Sequence, residues 1–199
     1  MESKQLKELL LQSLEHEMGG VKIYETALKC AINEDLKEEW EKYHHETERH
    51  VQILHDVCAQ LEIDPDKQTP GRKIVHDMGQ SLVKAMEAAL ASGDKELAEC
   101  VACEAVVMAE LVDHGNWELI GEVSKKMTGA EGKALKEAYK EVEDQEDEHY
   151  YHSKGWMREL SLQGLGLKAV LPPPEERKHV KTAIGAARAE QQRKDYLRS

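Results

Sequence analysis

The chain has 199 residues, 33% of them charged, and 39 acidic against 27 basic side chains give a formal net charge of −12. That balance excludes nucleic acid and anionic membrane as expected partners, and no segment is apolar and long enough to span a bilayer. Phe is absent, Pro numbers only 5, and no stretch alternates like a strand, so an all-α fold is expected.

The N-terminal MESKQLKELL is amphipathic and lacks the apolar core of a signal peptide, which makes the cytoplasm the expected location. Four cysteines, Cys30, Cys58, Cys100 and Cys103, are then expected to be reduced. The Cys100/Cys103 pair lies in an apolar helical stripe and reads as two small buried residues rather than a redox pair.

Breakers divide the chain into helices. The first is predicted over Ser3–Ile32, the second over Leu36–Leu61, with Asn33–Asp35 as the turn. IDPDKQTPGR is a loop punctuated by Pro65, Pro70 and Gly71. A shorter amphipathic helix follows over Lys73–Ala91. After Ser92-Gly93-Asp94, with Asp94 as N-cap, a long helix runs over Lys95–Lys126. Thr128-Gly129 separates it from the last, Glu131–Leu162. Residues 1–165 form the predicted domain, an antiparallel four-helix bundle with the helix at 73–91 inserted between the second and third long ones. Residues 166–199 form an extension, more basic toward its end, in which Val180, Ile184 and Ala187 allow a short amphipathic helix.

The 3,4 spacing of a bundle core picks out a seam on each long helix. The first reads Leu10, Leu14, Glu17, Val21, Tyr24, Leu28, Ala31. The second reads Leu36, Trp40, Tyr43, Thr47, His50, Leu54, Val57, Leu61. The third reads Leu97, Val101, Glu104, Met108, Leu111, and the last Leu135, Tyr139, Val142, Glu146, His149, Ser153, Trp156, Leu160. Each seam carries ionisable groups near its middle: Glu17, His50, Glu104, and the pair Glu146 and His149. Glu46 lies one turn before His50, at the seam's edge. Asp113 and His114 fall off the seam and read as surface.

Any one of these groups, taken alone, reads as a bundle end or a satisfied core histidine. Together they are a problem of charge. Four carboxylates buried side by side repel, and each loses several kcal/mol of hydration. Two divalent cations would balance them, with two neutral imidazoles completing the ligands. Oxygen-rich ligation with some imidazole suits iron or manganese better than zinc. Residues three apart share a helix face, so Glu146-x-x-His149 is the specific signal.

On these residues the sequence resembles the ferritin-like family of carboxylate-bridged di-iron bundles, which includes ferritins, rubrerythrins and manganese catalases. Glu17 followed by Tyr24 resembles the family's first-helix Glu-x6-Tyr, Glu104 its third-helix Glu, and Glu146 with His149 its fourth-helix motif. The inserted helix and HETERHVQIL are similar to the stress-associated YciE/YciF-like branch. Two departures stand out. Thr47 occupies the position three before His50, leaving Glu46 as the nearest carboxylate, and Leu111 stands where the third helix often has Tyr.

The resemblance implies a site of two Fe ions, or alternatively Mn, held by Glu17, Glu46, His50, Glu104, Glu146 and His149. Glu46 and Glu146 would bridge, and Glu17 and Glu104 would be terminal. The implied chemistry is oxidation of Fe(II) or reduction of peroxide or oxygen, in a chain expected to form a homo-oligomer, a dimer. A rival reading is a stress-related helical interaction module with a vestigial site. A hydroxylase acting on an organic substrate is a third. Tyr24 and Tyr43 sit near the site either as ordinary core or as hydrogen-bonding and electron-carrying groups. Gly19 and Gly20 read either as tolerated or as a close approach of helices.

Overall fold

The computed structural model describes residues 3–176, 191 and 193–198. It is all-helical among the described residues: α1 (Ser3–Cys30), α2 (Glu34–Gln60), α3 (Pro70–Ala91), α4 (Lys95–Ser124) and α5 (Gly129–Gly164). None of these helices is long and apolar enough to cross a membrane. The boundaries follow local chemistry. Asn33 caps α2 by accepting the Leu36 N–H, and Asp94 caps α4 by accepting that of Leu97. α3 begins at Pro70, three residues before the expected start, because Thr69 accepts the Arg72 N–H and proline suits a first helical position. α1 stops at Cys30 rather than at Ile32. The carboxylate of Glu99, reaching over from α4, takes the N–H groups of both Ile32 and Asn33 at 2.7 Å.

Two apolar clusters fill the interior. One gathers Tyr24, Trp40, Tyr43, Met86, Val106 and Trp156; the other gathers Leu10, Leu14, Leu54, Trp117, Ile120, Leu135 and Val142. Helix direction follows from which cluster each end joins. α1 and α5 run from the second cluster to the first, and α2 and α4 run from the first to the second. The inserted α3 therefore lets the chain return to its starting level, so that α2 and α4 lie parallel. α1 packs on α2 and α4, α5 packs on α2 and α4, and α3 lies against α1 and α4. The buried Arg72 pins α3 to α1. Its Nε donates to Glu15 Oε2 at 2.7 Å, and its Nη1 donates to the carbonyl of Pro65.

The segment after α5 folds back on that helix. Glu159, fully buried, accepts from the Val170 N–H at 2.8 Å and pairs with Arg158 and Arg193, while Arg158 also holds Glu175. Gly155 makes room, since a Cβ there would lie 3.2 Å from the Glu175 carboxyl. The expected helix around Val180, Ile184 and Ala187 lies outside the described residues. Burial by itself would raise the Glu159 carboxyl, but the Val170 amide and the two guanidinium groups outweigh it and hold it below the ordinary value. A depressed native value stabilises the attachment above the unfolded carboxyl's value of about 4.3. The contribution disappears as pH falls through the native value. Hydrogen exchange on residues 168–176 is therefore expected to accelerate below about pH 4 while the α1–α2 amides stay protected. Uniform loss of protection would refute this.

Candidate metal centre

Between the two apolar clusters runs a polar layer, built from one level of each long helix. α1 supplies Glu17, α2 supplies His50, α4 supplies Glu110 and Asp113, and α5 supplies Glu146 and His149; all six are buried. In α4 and α5 the paired groups are three residues apart and so share a face. Two overlapping sets of ligand atoms lie within 4.8 Å of one another: His50, Glu146 and His149, and Glu17, Asp113 and Glu146. Glu146 belongs to both.

The hydrogen bonds around this layer point its free atoms inward. Trp117 Nε1 donates to Glu17 Oε1 at 2.6 Å, and the Tyr24 hydroxyl donates to Glu110 Oε1 at 2.7 Å. Each carboxylate thus has one oxygen fixed and the other, Oε2, without a hydrogen-bond partner. The histidines are treated alike. His50 Nε2 meets Gln145 Oε1 at 2.8 Å, and His149 Nε2 meets Glu46 Oε2 at 3.0 Å. These contacts favour the tautomer with the proton on Nε2. Nδ1 of each ring then faces the layer's centre without an aligned partner. His50 Nδ1 is 3.0 Å from Glu146 Oε1 and 3.4 Å from Glu17 Oε1. His149 Nδ1 is 3.7 Å from both Glu110 Oε2 and Glu146 Oε1. Asp113 Oδ1 and both Glu146 oxygens are likewise unpartnered.

The protonation states reflect this crowding. Burial, with His149 partly opposing it, pushes the Glu110 carboxyl up to about 7. Burial and the neighbouring Glu17, Glu146 and Glu110 push Asp113 well above the usual carboxylate range. Burial would lower His50, but Glu17 and Glu146 outweigh it and hold the imidazole well above its ordinary value. His149 is raised against burial by Glu46, Glu110 and Glu146. Glu146 is held low despite burial, chiefly by its contact with His50. Without cations, then, protons do the work of balancing charge.

The structure brings together four of the six residues expected from the sequence: Glu17, His50, Glu146 and His149. Glu46 stands behind His149, partly exposed, with Oε1 3.7 Å from Lys42 Nζ. It orients the imidazole from outside the layer rather than bridging its centre. Glu104 is exposed and does not approach the layer. The reason is helical phase. The side of α4 that faces the core is Ala98, Ala102, Ala105, Ala109, Asp113, Trp117 and Ile120, whereas Leu97, Met108 and Leu111 face outward. Glu110 and Asp113, absent from the expected set, lie on or beside that inner path. A polar group continuing the 3,4 run of alanines was the available signal.

Both tyrosines have satisfied hydroxyls, Tyr24 on Glu110 and Tyr43 on Glu39. The Tyr43 ring also packs 4.3 Å, centroid to centroid, from that of His149. Gly20 marks a close approach at this level, since a Cβ would stand 3.2 Å from Thr47 Cγ2; Gly19 has open space. A longer side chain at position 47 would meet α1, which accounts for Thr47 in the second helix.

Comparison of the chain with protein families, with curated proteins and with solved structures finds no match.

Proposed function

We propose that this protein holds a pair of iron or manganese ions in a carboxylate-bridged site and uses it to oxidise Fe(II) or to reduce peroxide or oxygen. One observation carries the reading: seven buried, unpartnered ligand atoms on four carboxylates and two imidazoles converge on one layer. Such atoms cost free energy when left unmatched. Two divalent cations would satisfy all seven and balance four negative charges. The donor set, four carboxylates with two imidazoles, suits iron or manganese.

The ferritin-like di-iron arrangement is the architecture this reading draws on. Four long helices with one long crossover between the second and third are a known form of that bundle. The ligands depart from its usual plan. α4 offers Glu110-x-x-Asp113 in place of a lone Glu, and α2 offers His50 alone.

Each residue would have a part. Glu146, neither oxygen of which has an aligned hydrogen-bond partner, belongs to both ligand sets and would be shared between the ions. Glu17 and Asp113 group with it in one set, His50 and His149 in the other, and Glu110 Oε2 lies 3.7 Å from His149 Nδ1. Trp117 and Tyr24 fix the two terminal glutamates, and Gln145 and Glu46 fix the imidazoles, so the centre is arranged before anything binds. The apolar clusters above and below exclude water. The protons on His50, His149 and Glu110 must leave as cations arrive, so uptake releases protons. A bound pair of such ions supplies the redox chemistry.

The test is metal content by mass spectrometry after purification without chelators. About two ions per chain are expected, fewer in Glu110→Ala and Asp113→Ala, and an unchanged number in Glu104→Ala. Near-zero metal with no anaerobic uptake of Fe(II) would defeat the reading and favour a helical interaction module.

A further inference from the structure

A helix at a protein surface buries its large apolar side chains and exposes polar ones. α4 does so only in part: it buries Val106, Trp117 and Ile120, yet elsewhere sends Ala98, Ala102, Ala105 and Ala109 into the core while Leu97, Met108, Leu111, Val112 and Leu119 stay exposed. At 100° per residue these five exposed side chains fall within an arc of about 100°. Between Leu97 and Gly115 there is no Lys or Arg, and Glu104 is the one exposed acid.

The stripe continues onto neighbouring helices. Met78 of α3 faces Met108 and Val112 across a cleft of about 280 Å³ whose floor includes Gly19 and Gly79. Ile74 lies one turn before Met78. Ile74, Met78, Met108, Leu111 and Leu119 are each more than half exposed, and Leu97 and Val112 more than two-fifths.

We infer that this face is where two copies of the chain meet. Seven large apolar side chains about half exposed offer an area on the order of the ~800 Å² that each partner of a standard interface buries. That exceeds the few hundred Å² usual for the largest apolar patch on a monomer. Charge selects the occupant. Two chains of net charge −12 repel wherever their acidic surfaces meet, and this nearly uncharged face lets them touch at least cost. A two-fold interface needs a self-complementary patch, and apolar ridges flanking a cleft supply one. The described part of the C-terminal segment is held elsewhere, on α5 through Arg158, Glu159 and Gly155. The inference does not depend on metal binding.

Light scattering after gel filtration and sedimentation equilibrium on the full chain, with and without added Mn(II), test it. The wild type is expected at twice the chain mass of 22.6 kDa. Met108→Glu combined with Leu111→Glu is expected to weaken association by about two orders of magnitude, as loss of central interface residues does, with an unchanged far-ultraviolet circular dichroism spectrum. Gln52→Glu, at an exposed position on α2, which packs on α1 and α5, is expected to leave the dimer intact. Glu104→Leu removes the one exposed acid between Leu97 and Gly115 and is expected to tighten it. A monomeric wild type at micromolar concentration, or a dimer unaffected by the double substitution, would overturn the proposal. So would dissociation by Gln52→Glu to the same degree.

Discussion

Glu146→Ala is expected to abolish metal retention while leaving a folded protein. Glu146 is the one residue that lies in both ligand groups, and neither of its oxygens has an aligned hydrogen-bond partner. Its removal would withdraw a donor from both proposed ions and would deprive His50 Nδ1 of its nearest carboxylate oxygen, 3.0 Å away. The affinity loss should exceed the roughly 10–100-fold that follows removal of an outer hydrogen-bond partner. Thermal unfolding supplies a second reading. A ligand that binds only the native state stabilises it by about 2.7 kcal/mol at a hundred times its dissociation constant. Mn(II) should therefore raise the melting temperature of the wild type and leave that of Glu146→Ala unmoved. Two ions per chain in the alanine variant would place the site elsewhere.

Trp117 carries the second large effect, because one side chain serves both the fold and the layer. Its ring is buried in the cluster of Leu10, Leu14, Leu54 and Ile120, and its Nε1–H holds Glu17 Oε1. Trp117→Ala should cost about 3–5 kcal/mol of stability, the range for deleting a large buried ring. Trp117→Phe keeps an aromatic ring in the cavity and loses the donor. It should be destabilised far less, yet bind Mn(II) about 10–100-fold more weakly, since Glu17 loses the partner that aims it. Urea unfolding of the metal-free proteins and Mn(II) titration separate the two roles. Wild-type affinity in Trp117→Phe would show that Glu17 needs no such anchor.

Three of the four long helices were readable from spacing alone. Leu10, Leu14, Glu17 and Tyr24 on α1, and Val142, Glu146, His149 and Trp156 on α5, are buried as their periodicity predicts, and so are Trp40, Thr47, His50 and Leu54 on α2. These helices each have one apolar stripe, so phase was unambiguous. α4 has two. Its large residues gave the stronger periodic signal, and that signal described an outward face. The alanines that touch the core are small because α1 and α5 both pack closely on this helix, and small side chains announce burial weakly. Glu104 was drawn into the expected site by belonging to the stronger stripe, and Glu110 and Asp113 were lost with the weaker one. Glu46 illustrates a different limit. Sequence places it on the correct side of α2, one turn from His50, but only geometry distinguishes a carboxylate in front of an imidazole from one behind it.

The two apolar clusters on either side of the polar layer give the molecule an uneven grain. Among the described residues no single cluster runs the length of the helices. Between the two lies the waist, where four carboxylates crowd around two imidazoles and, without cations, protons would balance the charge. Filling that level would supply a clamp that grips all four long helices at their midpoints. The ends then become the permissive parts of the design. Turns can lengthen, and caps can change, without disturbing the register of the six side chains at the waist.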